Sequence, residues 1–317
     1  MYRFHVLSPI RAEAAEAHNA PLLGRDTLGI EVTEPELARR CGLGNLDPQH
    51  TEGRADLTAI ELALEHPLPP PGAILVTIRP DADAFGAMAL FALRAGGTEP
   101  DRALRERVAL VARADRFAHG DWPGPRPLPR ELEQAWAFFA GGDPTTAALM
   151  VICEDRTRTA EERVRLVGNW LVTGELPDWA VESARERARG IARAVIDGEI
   201  DAGTAAGGRI AVVESRHPAA LRLGYCLAPV VVALNPEFRP IHGEGPYRKF
   251  TICQYRDGFL DLPGAMRALR TREPGWGGSP TIIGSPQGTG SKLPMEEVVE
   301  IVGDHLLFDH PFWNEPQ

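Results

Sequence analysis

Ala73-Ile74-Leu75-Val76-Thr77-Ile78-Arg79-Pro80-Asp81-Ala82-Asp83-Ala84-Phe85-Gly86-Ala87 is the stretch on which the fold turns. Its first six residues form a short, largely apolar run after Pro71-Gly72, the pattern of a parallel strand buried on both faces. Arg79-Pro80-Asp81-Ala82-Asp83 ends the run. A helix then begins near Ala84 and continues to about Arg94, where Ala95-Gly96-Gly97 stops it. Strand, acidic loop and helix in this order predict an open α/β sheet, in which ligands gather at the carboxyl ends of the strands. At a spacing of two, Asp81 and Asp83 can both turn to one side of the strand end. Hard carboxylate oxygens suit Mg²⁺ or Mn²⁺, and an added imidazole shifts the preference toward Mn²⁺. Two such ions about 4 Å apart can activate water and stabilise the leaving oxygen of a phosphoester. The same residues also read as caps, Asp83 for the helix at Ala84 and Asp81 for the turn, and both readings stay open.

Upstream the pattern is weaker. Residues 2–7 and 27–32 read as short strands, 34–40 as one or two helical turns, and 57–64 as a helix. Residues 41–53 read as a loop of Gly, Asn, Asp and Pro that contains Asn45-Leu46-Asp47-Pro48-Gln49-His50, and 67–72 as a proline-rich connector. Downstream, 102–117, 128–139, 145–153, 160–172 and 179–196 have helical spacing. The Gly-, Asp- and Ala-rich segment 198–208 marks a domain boundary. Beyond it, 209–214, 228–234 and 249–255 read as strands, 263–269 and 296–305 as helices, and 275–291 as a glycine-rich loop. The fold class expected is two-domain α/β: a parallel-sheet N-terminal domain with a helical insert over 1–199, its first 72 residues unassigned, and a smaller mixed α/β domain over 205–317.

A chain of 317 residues suits two domains. Its net charge of −10 counts against a partner as anionic as long nucleic acid, while leaving room for a small phosphorylated ligand. Cys41, Cys153, Cys226 and Cys253 form no CxxC pair and read as buried thiols in a reducing compartment. No run of 18 apolar residues and no signal-peptide core is found, so the expectation is a cytoplasmic protein without a membrane partner. A homodimer stays open.

Residues 77–87 resemble the first motif of the DHH-type phosphoesterases, written in that family approximately as His-x-x-Pro-Asp-x-Asp-Ala-x-Gly-Ser. Pro80, Asp81, Asp83, Ala84 and Gly86 match in type and spacing, while Thr77 stands where the family has a histidine metal ligand. Trp276-Gly277-Gly278-Ser279-Pro280 resembles the Gly-Gly-His loop of the DHH-associated C-terminal domain, with Ser279 in the histidine's place. The Asp-His-His motif that names the family is absent. The resemblance spans roughly 73–120 and 180–305. It implies a Mn²⁺- or Mg²⁺-dependent phosphoesterase that holds a short oligonucleotide, cyclic dinucleotide or nucleoside phosphate in the cleft between domains. The alternative is a degenerate member that binds a ligand or nucleotide without turnover.

On this reading Asp81, Asp83 and Asp115 are the catalytic candidates. Asp47 and His50, three apart, join them as candidate metal ligands that could replace the one missing at Thr77; a solvent-exposed turn is the alternative for that pair. Asp115 and His119, four apart, share a helix face and read either as ligands or as a surface pair. Arg79, Arg248 and Lys249, with Gly277, Gly278 and Ser279, are the candidates for substrate contact, since glycine-loop N–H groups can cradle a phosphate. Arg216, His217 and His242 follow strands or turns and could also line the cleft.

Overall fold

The computed structural model describes residues 2–8, 13–47, 57–115, 122–139, 144–239, 246–278, 282–286 and 288–307. The chain is mixed α/β and divides into two compact units: Met1–Ala118 with Trp136–Arg187, and His119–Ala135 with Ala188–Gln317. The stretch 122–135 thus groups with the second unit, where Trp122 Nε1 donates to the Tyr225 carbonyl (2.8 Å) and the Arg126 N–H to that of Cys226 (2.7 Å).

The first unit contains a four-stranded parallel sheet of β1 (Arg3–Val6), β2 (Thr27–Ile30), β3 (Asn45–Leu46) and β4 (Ile74–Thr77), in the order β1-β4-β2-β3. β4 runs between β1 and β2, pairing Leu75 with Phe4 on one side and Leu28 on the other. All four residues of β4 and all four of β2 are buried, which is why β4 reads as a largely apolar run rather than an alternating one. Ile74 and Val76 face Leu7, Leu37 and Cys41 on one side of the sheet. Leu75, Leu28 and Ile30 face the larger core on the other. That core is built from α3 (Ala59–Glu65), α4 (Ala82–Ala95), α5 (Arg102–Asp115), α7 (Pro144–Glu154) and α8 (Ala160–Thr173).

The strands leave the sheet in opposite directions. β2 leads to α2 (Pro35–Ala38) on the Leu37 side, and β4 leads to α4 on the other. Adjacent parallel strands that depart to opposite faces open a crevice between their carboxyl ends, the place where open α/β sheets bind ligands.

The second unit holds a mixed six-stranded sheet in the order β5-β6-β7-β8-β10-β9, with only β6 and β7 parallel. Its strands are β5 (Asp201–Ala205), β6 (Ile210–Glu214), β7 (Val230–Phe238), β8 (Tyr247–Gln254), β9 (Gly277–Gly278) and β10 (Ile282–Gly284). α11 (Leu262–Arg272) and α12 (Met295–Gly303) pack Leu262, Leu269, Val298 and Val302 over Ile210, Val232, Phe250 and Ile252. α9 (Asp178–Ile196) spans the division between the units.

Several elements escape the sequence pattern, among them β9 and β10, which lie in the expected loop 275–291, and α10 (Ala220–Gly224), which carried no reading. β3 is a two-residue strand inside the expected loop 41–53. β5 lies in the segment 198–208 expected as a domain boundary, because Gly203 and its neighbours gain ladder partners only once β6 is beside them. α1 (Glu13–Asn19) falls in the stretch that carried no reading. All four cysteines are buried and free, as expected. Among the described residues no helix is long and apolar enough to cross a membrane.

Candidate metal centre

The crevice between β2 and β4 is lined by carboxylates. Glu31 directly follows β2, Asp83 lies in the first turn of α4, and Asp115 ends α5. One oxygen from each falls within 4.8 Å of the others. Glu31 and Asp83 are 2% and 1% exposed, and Asp115 is half-buried. Among the described residues no imidazole or thiolate joins the group.

Asp83 is fixed by the neighbouring helix. The first two N–H groups of α3, from Ala59 and Ile60, donate to its Oδ2 and Oδ1 at 2.8 and 2.9 Å. These are two of the four donors that a helix start leaves without intrahelical acceptors. A carboxylate has about four lone-pair sites, so both oxygens still have capacity facing Glu31 and Asp115. One turn further along α4, Gly86 leaves room for Ile60, whose Cδ1 would lie 2.5 Å from an added Cβ. Asp83 and Gly86 together set the α3–α4 contact.

Glu31 is held differently. Its φ is +52°, in the left-handed region that non-glycine residues seldom occupy. The reversal shows in its neighbours: Ile30 packs with the α4 side and Val32 with the Leu37 side, whereas residues two apart in a regular strand share a face. Glu31 Oε2 is buried and finds no hydrogen-bond donor among the described residues.

Burial and mutual repulsion raise the carboxyl pKa values at this site. Burial pushes the Glu31 carboxyl up to about 10, and the charges of Asp81, Asp83 and Asp115 add to the rise while Arg79 opposes it. Burial also lifts Asp83 to about 7, reinforced by Asp115 and opposed by the two α3 N–H groups. Asp81 is raised by burial, against the Ala84 N–H and Arg79. At 4.8 Å, and with an effective dielectric constant of about 20, each pair of ionised carboxylates repels by roughly 3–4 kcal/mol. Three together require protons or a cation. An all-oxygen donor set with an orphaned buried oxygen suits a hard divalent cation, and the group can hold one.

Asp83 and Asp115 meet at the centre, joined by Glu31, which lies inside the run 27–32 expected as a strand and carries no local signal of a ligand. Asp81 is outside the group: it is the N-cap of α4 and accepts from the Ala84 N–H at 2.9 Å. The cap belongs to Asp81, and Asp83, expected as the alternative cap, turns instead to α3. Asp47 is buried just after β3, at the same carboxyl edge of the sheet, and is not a member of the group. Thr77 closes its own turn, accepting from the Arg79 N–H (3.0 Å) and donating to the Arg79 carbonyl (3.1 Å). His50, His119, His242 and Ser279 lie outside the described residues. Arg79 is exposed and close enough to Glu31 and Asp81 to act on both electrostatically.

In the second unit Arg248 and Lys249 are consecutive on β8 and so point to opposite faces. The Arg248 guanidinium sits 5.7 Å from the Phe250 ring centre and donates to the Leu293 carbonyl at 3.4 Å. The Lys249 ammonium lies 4.1 Å from the Phe238 ring centre, and burial lowers its pKa. Gly277 and Gly278, expected in a loop, form β9. A Cβ on Gly278, whose φ is +152°, would come within 2.2 Å of the Ile282 carbonyl oxygen. Arg216 pairs with Glu237 on the surface (2.7 Å), and His217 Nδ1 accepts from the Ala219 N–H (3.1 Å).

No family model matches the sequence, and no curated protein matches it either.

Proposed function

We propose that the first unit is the metal-binding domain of a phosphoesterase that resembles the DHH type, with Glu31, Asp83 and Asp115 holding Mn²⁺ or Mg²⁺. The observation that carries this reading is the buried Glu31 Oε2, without a donor among the described residues and turned toward two further carboxylates. A bound divalent cation supplies a lowered pKa for water and a counter-charge for a phosphoryl oxygen. The protein's own contribution is placement. Asp83 is locked by α3, Glu31 by its turn, and Asp115 by the end of α5. The exposed Arg79 beside them offers a guanidinium fork matched to phosphate oxygens. A small phosphorylated substrate, such as a short oligonucleotide, a cyclic dinucleotide or a nucleoside phosphate, fits a protein of net charge −10 better than a long polyanion does. In the second unit Lys249, half-buried against Phe238, is a cation that can meet a phosphate oxygen.

The test is purification without chelator, elemental analysis, and assay of phosphate or nucleotide release with added Mn²⁺ for the wild type and Glu31→Gln. Bound metal in the wild type is expected. In the variant turnover should fall by more than the roughly 10–100-fold that loss of an outer-shell partner costs. A protein that binds no divalent cation and hydrolyses no phosphoester would defeat the proposal.

A second reading is a ligand-binding protein without turnover. The observations that favour it are the Thr77 hydroxyl, committed to its own turn, and an acidic group without an imidazole among the described residues. It predicts thermal stabilisation by a phosphorylated ligand with no product formed and no metal requirement.

A further inference from the structure

The left-handed turn at Glu31 raises the question of what keeps it there, since such a conformation is unfavourable for a non-glycine residue and persists only where its surroundings impose it. Three contacts do so. The Glu31 N–H donates to the Leu46 carbonyl at 2.8 Å. The Asn45 side chain then grips the next residue at both backbone groups: Val32 N–H donates to Asn45 Oδ1 (3.2 Å), and Asn45 Nδ2 donates to the Val32 carbonyl (3.1 Å). The amide thus does for Val32 what a neighbouring strand would do, and holds the chain where β2 has already ended.

Gly29 is part of the same device. A Cβ there would come within 2.5 Å of Asn45 Oδ1 and 3.1 Å of Val32 Cγ2. Only glycine leaves the amide its place across β2. Asn45 itself pairs with Gly29 in the β2–β3 ladder, so the two-residue strand β3 serves to carry this side chain to the end of β2.

We propose that Asn45 is the positioning residue of the cation site: it fixes Val32, and through Val32 the left-handed turn that aims the Glu31 carboxylate at Asp83 and Asp115. The inference rests on the metal reading given above, and it adds a residue that touches neither the cation nor the substrate. Gly29 permits it, and Leu46 supplies the second anchor.

The test is a Mn²⁺ titration of the full chain, followed by the electron paramagnetic resonance signal of free Mn²⁺, with folding checked by circular dichroism. The proteins are the wild type, Asn45→Ala, Glu31→Gln and the double variant. Asn45→Ala should bind Mn²⁺ roughly 10–100-fold more weakly, the range for residues that orient a ligand. In the Glu31→Gln background the same change should add almost nothing, because the ligand being oriented is already gone. Wild-type affinity in Asn45→Ala, or an equal loss with and without the Glu31 carboxylate, overturns the inference and leaves the metal reading standing. If Asn45→Ala does not fold, Asn45→Asp serves. It keeps the acceptor for the Val32 N–H and loses the donor to the Val32 carbonyl. Its added charge by itself favours a cation, so weaker binding reports the broken clamp, and equal or tighter binding overturns the inference. Failure of the wild type to bind Mn²⁺ overturns the metal reading and this inference with it.

Discussion

Glu31 combines two features that ordinary sequence folding avoids: an almost fully buried carboxylate and a backbone angle that glutamate seldom takes. Each is unfavourable in a metal-free protein, and the pH dependence of stability should show it. An unfolded glutamate titrates near 4.3 and an aspartate near 3.9, whereas in the fold burial raises Asp83 to about 7 and Glu31 to about 10. Carboxylates with raised folded values contribute stability that is full below the unfolded value and is lost as pH rises through the folded one. Metal-free protein should therefore be most stable in mild acid. Its melting temperature should fall as pH climbs from about 4 through about 7 for Asp83, and on toward about 10 for Glu31. Glu31→Gln should flatten the upper part of that decline, and Mn²⁺ should restore the loss at neutral pH. A melting temperature without pH dependence between 5 and 9, measured by scanning calorimetry in chelator, would contradict this account of the cluster.

The start of α4 shows how one short element separates structural from chemical acid. Asp81 closes the helix end, and Asp83, two residues on, closes a different helix altogether. A capping oxygen contributes about 1 kcal/mol. Asp81→Ala should lower stability by about that amount, and Asp81→Ser, which keeps an acceptor at the N-cap, should recover most of it. Mn²⁺ affinity should fall less in Asp81→Ser than in Glu31→Gln. An equal fall in calorimetric titrations would move Asp81 from cap to ligand. Here the sequence carried much of the answer. The apolar run into Asp81 and the helix after it were legible, because a buried parallel strand and a helix stop at Gly96-Gly97 are local patterns. Which aspartate caps and which turns to the crevice was not, because that depends on α3 arriving beside α4.

The described residues form two sheets with separate cores, and the acidic group lies beside one of them. A ligand that binds only the native state stabilises it by an amount set by its concentration over Kd, about 2.7 kcal/mol at a hundredfold excess. That stabilisation should be local. Saturating Mn²⁺ should slow hydrogen exchange at the Ala59 and Ile60 amides, which donate to Asp83, and at the Glu31 amide, which donates to Leu46. The amides of β6, β7 and β8 should be much less affected. Equal protection of both sheets would mean that Mn²⁺ acts elsewhere.

Taken alone, the sequence determined most of the helices and the apolar strands of both sheets, because periodicity and stop signals are written within a dozen neighbouring residues, whereas α4 begins at Ala82 and takes in Asp83, which reads as loop. Spacing also marks Asp83, two residues from Asp81 after a strand, and Asp115, four from His119 on a helix, as candidates. Only the tertiary structure decided that β4 inserts between β1 and β2. That insertion brings Glu31, some fifty residues away in sequence, against Asp83. It decided likewise that Asn45, in what reads as a loop, becomes the brace of a strand end, and that the Ile282 backbone leaves no room for a Cβ on Gly278. The physical reason is common to all of these. Parallel strand pairing and the burial of charge are set by partners distant in the chain, and no local pattern encodes them.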